Sequence, residues 1–239
     1  MELPIYQVDA FTSQVFGGNP AAVIPLEHWL DDELLASIAL ENNLSETAYV
    51  VPAENGYDLR WFTPSVEVDL CGHATLATAH VLFEHLAFEE DMIRFHTRSG
   101  ELRVCRSEEG LTLDFPAVHL RATAVCDSVS AALGATASRA VIATHNPPAV
   151  VYVFESQAEV AALQPDFPAL KLASEFAVIA TAPGDECDFV SRFFGPQVGI
   201  DEDPVTGSAH CSLVPYWAER LHRSRLLCRQ ISARGGELD

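Results

Sequence analysis

Arg60-Trp61-Phe62-Thr63-Pro64 leads, after an acidic loop, into the helix opening Cys71-Gly72-His73-Ala74-Thr75. The same plan returns later as Arg192-Phe193-Phe194-Gly195-Pro196, followed by Thr206-Gly207-Ser208-Ala209-His210. Each copy has an arginine, two aromatic residues, one variable residue and a proline. Each then has an acidic loop and a glycine-led, small-residue helix start. The interval from arginine to glycine is 12 positions in the first copy and 15 in the second. A strand–loop–helix unit that occurs twice argues for two similar domains. Phe115-Pro116 closes the first half, so the expected domains are 1–117 and 118–239.

Working outward from the first copy, residues 4–10, 21–25, 47–51 and 57–63 read as strands. Phe16-Gly17-Gly18-Asn19-Pro20 reads as a turn by its Gly, Asn and Pro content. Asp31 or Asp32 can cap a helix running to about Asn43, with an apolar stripe of Leu34, Leu35, Ile38 and Ala39. The helix opened by Gly72 continues to about Leu86 and is apolar on nearly every side, the pattern of a helix buried on every side. Strands are expected near 92–97, 101–105 and 110–115. Around the second copy, strands are expected at 139–143, 149–154, 176–181 and 189–194. A helix is expected near 157–163 and another from 206 to about 221. The fold class is therefore α+β: two similar domains, each with several strands enclosing one central helix.

Composition narrows the function. The net charge is −20 at pH 7, which repels phosphate backbones and anionic lipid, so nucleic acid and membrane surfaces are excluded as partners. The six cysteines form no CxxC pair and no zinc-site spacing. The start lacks the basic region and apolar run of a signal peptide, and no apolar run approaches membrane-spanning length. A cytoplasmic protein with reduced thiols is expected. No GxGxxG, GxxxxGK[ST], HExxH or GxSxG motif occurs, so nucleotide, zinc-protease and serine-hydrolase chemistry have no support.

Several residues could carry chemistry. A helix opening on Gly-His or Gly-Ser leaves free backbone N–H groups and the positive end of a dipole, which suit a carboxylate. Gly72, Gly207 and Ser208 are placed for this, although small residues also simply permit tight turns. Glu46 stands where a loop enters a strand. Half-buried among apolar neighbours, it would have a raised pKa and could shuttle a proton, but from the local sequence alone a surface Glu at a strand edge is the better reading. His73 and Asp203, brought together, would form a pair that holds one His tautomer. Asp203 could equally be a turn residue, and Glu202 beside it reads as a solvated acid. Cys71, next to Gly72, could be a thiol of lowered pKa. Cys211 reads as core. The second helix start has Thr206-Gly207-Ser208 and no cysteine, so a two-thiol racemase mechanism is unavailable. His80 and His85 make a poor metal pair, and His145 reads as a structural loop residue.

Taken together, Val8-Asp9-Ala10-Phe11-Thr12, Gly18-Asn19-Pro20-Ala21-Ala22-Val23, Asn43-Leu44-Ser45-Glu46-Thr47, Cys71-Gly72-His73-Ala74-Thr75 and Glu202-Asp203-Pro204-Val205-Thr206-Gly207-Ser208-Ala209-His210 are specific. The chain resembles the PhzF-like isomerases of phenazine biosynthesis, which share the diaminopimelate-epimerase-like fold. The resemblance spans almost the whole chain. It implies an active site between the two barrel domains and a small carboxylic-acid substrate, handled without cofactor or metal. It implies Glu46 as acid/base, assisted by His73, Asp203 and Ser208, with Asn19, Gly72, Thr206, Gly207 and Ser208 binding the substrate. In the phenazine pathway the family enzyme relocates a hydrogen on a dihydro-hydroxyanthranilate, and the family is often homodimeric. Members continue beyond the point matched by Gly235-Gly236-Glu237-Leu238-Asp239, so the expectation includes a second barrel lacking its last strands. Two alternatives remain at this point: an α-carbon epimerase using Cys71, and an inactive small-acid-binding protein.

Overall fold

The computed structural model of the chain describes residues 2–143 and 148–239. His145 and its loop lie outside the described residues. The chain forms two compact units. One holds the residues up to Ala10 together with Asn19–Phe115; the other holds Phe11–Gly18 together with Pro116–Asp239.

In the first unit, an eight-stranded sheet is built from β1 (Tyr6–Ala10), β2 (Asn19–Pro25), β3 (Glu46–Ala53), β4 (Gly56–Phe62), β5 (Glu67–Val68), β6 (Met92–Thr97), β7 (Gly100–Ser107) and β8 (Gly110–Leu113). The order is β1-β2-β3-β4-β6-β7-β8, with β5 paired to β4. Helix α1 (Asp32–Asn42) connects the parallel strands β2 and β3, and α2 (Gly72–Glu84) lies between β5 and β6. Ala74, Ala77, Val81 and Leu82 of α2 pack against Val23, Val50, Trp61, Ile93 and Phe95 of the sheet. Each fully buried Val, Leu or Phe of this kind contributes about 1.5–3 kcal/mol. The apolar sequence of α2 thus reports a helix enclosed by its sheet, except for a strip of His80 and Glu84, which are exposed. On α1 the buried face is narrower than the stripe suggests. Leu35 and Ala39 are buried, while Leu34 lies on the solvent side. Asp31 is the N-cap, but its side chain makes no capping hydrogen bond.

The second unit repeats the plan with β9 (Leu120–Thr123), β10 (Arg139–Ala143), β11 (Ala149–Val153), β12 (Ala177–Pro183), β13 (Phe189–Gly195), β14 (Ile200–Asp203), β15 (Cys228–Gln230) and β16 (Gly236–Leu238), in the order β16-β15-β13-β12-β11-β10-β9 with β14 paired to β13. Its helices are α3 (Asp127–Leu133), α4 (Gln157–Ala162), α5 (Phe167–Ala173) and α6 (Gly207–Leu221). The parallel pair β2/β3 corresponds to β11/β12, the antiparallel pair β3/β4 to β12/β13, and the parallel pair β4/β6 to β13/β15. Helix α6 takes the place of α2. Its Ala209, Leu213 and Trp217 pack against Val151, Ile179 and Phe189.

Pro215 sits inside α6. It has no N–H to offer the carbonyl of Cys211, one turn earlier. The Val118 N–H takes that carbonyl instead at 2.8 Å, so the proline costs the helix no buried, unpaired acceptor.

Segment 11–18 joins the second unit through backbone contacts. The Gly18 N–H donates to the Gly235 carbonyl at 2.7 Å and the Glu237 N–H to the Phe11 carbonyl at 3.0 Å. Gly236 is required at this junction, because a Cβ there would lie 2.8 Å from the Phe11 carbonyl oxygen and 2.5 Å from a Val205 methyl. Short elements such as α3, α5, β9 and β14–β16 leave too few periodic residues to stand out in the sequence.

The duplicated arginines explain their own recurrence. Arg60 donates to both carboxylate oxygens of Glu67, at 2.7 and 2.8 Å, and lies over the Phe62 ring. Arg192 does the same with Glu202, at 2.7 and 2.9 Å, and lies over Phe194. Glu202 is therefore half of a bidentate pair, not the freely solvated acid its loop position suggests.

Candidate active site

Glu46 is the first residue of β3 and is half-buried; the four residues after it are fully buried strand. Cys71 is the N-cap of α2, and His73 is in the first turn. The strand start and the helix start meet at the His73 ring. Its Nε2 lies 3.1 Å from Glu46 Oε2, and its Nδ1 lies 3.4 Å from Cys71 Sγ. His73 and Cys71 are both buried. The Glu46–His73 approach is close but misaligned, so Glu46 Oε2 and His73 Nε2 are buried atoms without a hydrogen-bond partner. Catalytic contacts are commonly loose without substrate and tighten around it.

Electrostatics follow from this arrangement. Burial opposes a charged imidazole, but Cys71 and Glu46 on its two edges outweigh it and hold His73 well above the usual histidine value. As imidazolium, the ring carries an N–H on each edge, one toward Cys71 and one toward Glu46. The Cys71 thiol is pushed up, first by burial and then by the Glu46 charge. The sequence expectation of a lowered, reactive Cys71 thiol is thus corrected: the helix start does not compensate for loss of solvent.

Glu46, Cys71 and His73 also bring three potential metal-ligand atoms within 4.8 Å of one another. The two ring nitrogens lie on different edges, Nδ1 toward Cys71 Sγ and Nε2 toward Glu46 Oε2. A single ion taken up at one nitrogen therefore leaves the other neighbour facing the wrong edge, and the set suits a proton relay better than a metal centre.

The raised His73 value makes a stability prediction. A group whose folded value lies above its unfolded value, near 6.5, stabilises the fold fully below that unfolded value. The contribution is lost as pH rises through the folded value. Wild-type stability should therefore fall over that interval, and ring NMR should show His73 titrating above the ordinary range. In Glu46→Gln both effects should shrink. An unchanged His73 titration in the variant would show that Glu46 does not hold the charge.

In the second unit, β14 ends at the buried Asp203, and Thr206 caps α6. The Thr206 hydroxyl donates to Asp203 Oδ2. Gln230, at the end of β15 and 1% exposed, was not singled out by the sequence; a lone Gln in a three-residue strand carries no motif. Its Oε1 accepts from the Thr206 N–H at 2.9 Å, and its Nε2 donates to the Asp203 carbonyl at 2.7 Å and to Thr206 Oγ1 at 3.2 Å. Gly207 and Ser208 are half-buried in the first turn. His210 donates through Nδ1 to the Thr206 carbonyl at 2.8 Å, and burial pushes its pKa down to about 4, so it is neutral at neutral pH. Cys211 is pushed up to about 11 by burial. Asn19 is fully buried at the head of β2, opposite Ala10.

The predicted residues thus fall into two sets. Glu46, His73 and Gly72 gather at the start of α2, joined by Cys71. Asp203, Thr206, Gly207 and Ser208 gather at the start of α6. Within the first unit, the two His73 ring nitrogens face Cys71 and Glu46.

Among the described residues, no helix is long and apolar enough to cross a membrane. A family model described as phenazine biosynthesis-like protein matches residues 8–238. An uncharacterized isomerase of Pseudomonas aeruginosa is 54% identical over 239 residues, covering all of this chain and 91% of that protein. The crystal structure of a PhzF-family phenazine biosynthesis protein from Enterococcus faecalis superposes with a TM-score of 0.95 at 47% identity, covering all of this chain and 90% of that one. A hydroxyproline epimerase from Agrobacterium vitis, at 10% identity and a TM-score of 0.57 over 98% of this chain and 82% of that one, shares the fold alone. With its duplicated sheet-and-helix units and its Glu–His pair at a helix start, the chain belongs to the phenazine biosynthesis-like, PhzF family and is an isomerase.

Proposed function

We propose that this protein is a cofactor-independent isomerase of a small carboxylic acid, with Glu46 as the group that carries the proton. The observation that supports this most directly is the close approach of Glu46 Oε2 to the buried His73 Nε2, 3.1 Å apart at the opening of α2. The carboxylate of Glu46 removes a proton from a carbon of the substrate. The electron pair moves through the adjacent unsaturated system, and the protonated Glu46 returns the proton to a different carbon. Atoms and charge balance without oxidant or metal. The imidazolium of His73 stabilises negative charge that develops on the substrate.

Binding of the substrate is assigned to Asn19, Gly72, Thr206, Gly207 and Ser208. The free N–H groups at the two long helix starts suit its carboxylate. Asp203 is assigned as a second proton-handling group. A dihydro-hydroxyanthranilate is the first substrate to try, and a homodimer the first assembly to look for. The test is proton NMR in deuterated buffer with that acid and then a panel of small unsaturated and amino-bearing carboxylic acids. Conversion with deuterium incorporation supports the reading; tight binding of an acid without any exchange overturns it in favour of a binding protein.

One observation favours a second reading. Cys71 Sγ contacts the His73 ring, as a thiol base in an α-carbon epimerase would. Its buried, raised thiol argues against that role. Cys71→Ser should therefore retain deuterium exchange within about tenfold, the loss expected of a supporting contact rather than of a proton-transfer group. Loss of exchange specifically at an α-carbon in Cys71→Ser would establish the epimerase instead.

A further inference from the structure

We infer that Gln230 is a positioning residue for this reaction: it fixes the direction of the Thr206 hydroxyl proton and so presents Asp203 as an acceptor. The inference rests on the role assigned to Asp203 above, but its geometry lies wholly within the second unit. The Thr206 backbone N–H can only donate, so the Gln230 atom 2.9 Å away must be the carbonyl oxygen. That fixes the amide orientation. Nε2 then carries two N–H groups, one for the Asp203 carbonyl and one for Thr206 Oγ1. With one side of Thr206 Oγ1 accepting from Gln230, its own proton turns to Asp203 Oδ2. A single buried amide thereby ties down the turn, the first residues of α6 and the polarity of the Thr206–Asp203 contact.

The duplication shows that this clamp is not a requirement of the fold. Asp58, two residues before Arg60, pairs with His96, and Val190, two before Arg192, pairs with Arg229. The residue of the first unit that corresponds to Gln230 is therefore Thr97. Thr97 is near the surface, and its hydroxyl bonds within its own turn, donating to the Gly100 carbonyl at 2.7 Å and accepting from the Ser99 N–H at 3.1 Å. The first unit builds the same strand and the same helix start without a bridging amide. Gln230 is thus an addition specific to the unit that carries Asp203.

The test uses two variants of the full chain. Gln230→Glu keeps an oxygen for the Thr206 N–H but removes both N–H donors. Gln230→Leu removes all three bonds. In Gln230→Glu, the Thr206 amide should stay protected from hydrogen exchange, as in wild type, while kcat falls by about 10²-fold with KM within threefold, the signature of a misplaced reacting group. In Gln230→Leu, the Thr206 amide should lose protection while the Leu213 and Trp217 amides keep theirs. Wild-type kcat in Gln230→Glu overturns the inference, because anchoring alone would then suffice. Full Thr206 protection in Gln230→Leu overturns the geometry itself. Should wild type turn over no carboxylic acid at all, the proposed function fails, while the exchange measurement still decides whether Gln230 holds Thr206.

Discussion

Glu46→Gln is expected to lower turnover by about 10²- to 10⁴-fold, the range for removing a general acid–base group, with the protein still folded. The amide keeps the size of the side chain and most of its packing. It cannot take or return a proton. Because Glu46 opens β3 with a half-buried side chain, its replacement disturbs neither the strand register with β2 nor the buried run Thr47–Val50 behind it. The loss should therefore appear in kcat and in deuterium incorporation, with substrate affinity changed little. Circular dichroism and the thermal midpoint should match wild type apart from the His73 contribution described above. Comparable kcat values for wild type and Glu46→Gln would remove Glu46 as the proton carrier.

The largest expected effect on stability is from Arg192→Leu, about 2–4 kcal/mol, in the range for breaking a largely buried ion pair on one side. Arg192 is 12% exposed and Glu202 21% exposed. Beyond its two bonds to Glu202, the guanidinium donates to the Val160 and Leu163 carbonyls at 3.2 and 2.8 Å, both at the end of α4. Removing it strands a carboxylate and the Leu163 carbonyl, while the Val160 carbonyl keeps the Leu163 N–H, and hydrogen bonds to charged groups are worth more than neutral ones. Glu202→Gln should cost less, about 1–2 kcal/mol, since the amide still accepts one bond. Native-state hydrogen exchange of the β12 and β13 amides is the suitable readout, because two compact units need not unfold in one step. Unchanged protection in Arg192→Leu would mean that the pair is replaced by water at little cost. The matched pair Arg60–Glu67 should respond in the same direction in the first unit.

Much of this architecture is legible in the sequence because it is written twice. The recurrence of Arg, two aromatics and Pro marks β4 and β13, and the all-apolar composition of Ala74–Phe83 marks a helix enclosed by a sheet. Both are local patterns, set by side-chain period and by the physics of burial. Glu46 and His73 could be nominated from their motifs, since a carboxylate at a strand start and a histidine at a glycine-led helix start are visible in one dimension.

The partners of those residues could not be nominated. That the His73 ring lies between Cys71 and Glu46, and that the Cys71 thiol is raised, depends on which atoms of the first unit approach one another and on how much water is excluded. Gln230 had no signal because its partners, Asp203 and Thr206, are brought to it only by the parallel pairing of β13 with β15. The sequence by itself determined the duplicated units and the enclosed helices, and through its family resemblance it nominated Glu46 and His73. Only the tertiary structure decided which nitrogen of His73 meets which neighbour and which amide holds Asp203. Periodicity and motifs record what a residue's own element requires. Distance and desolvation arise only when separate elements pack together.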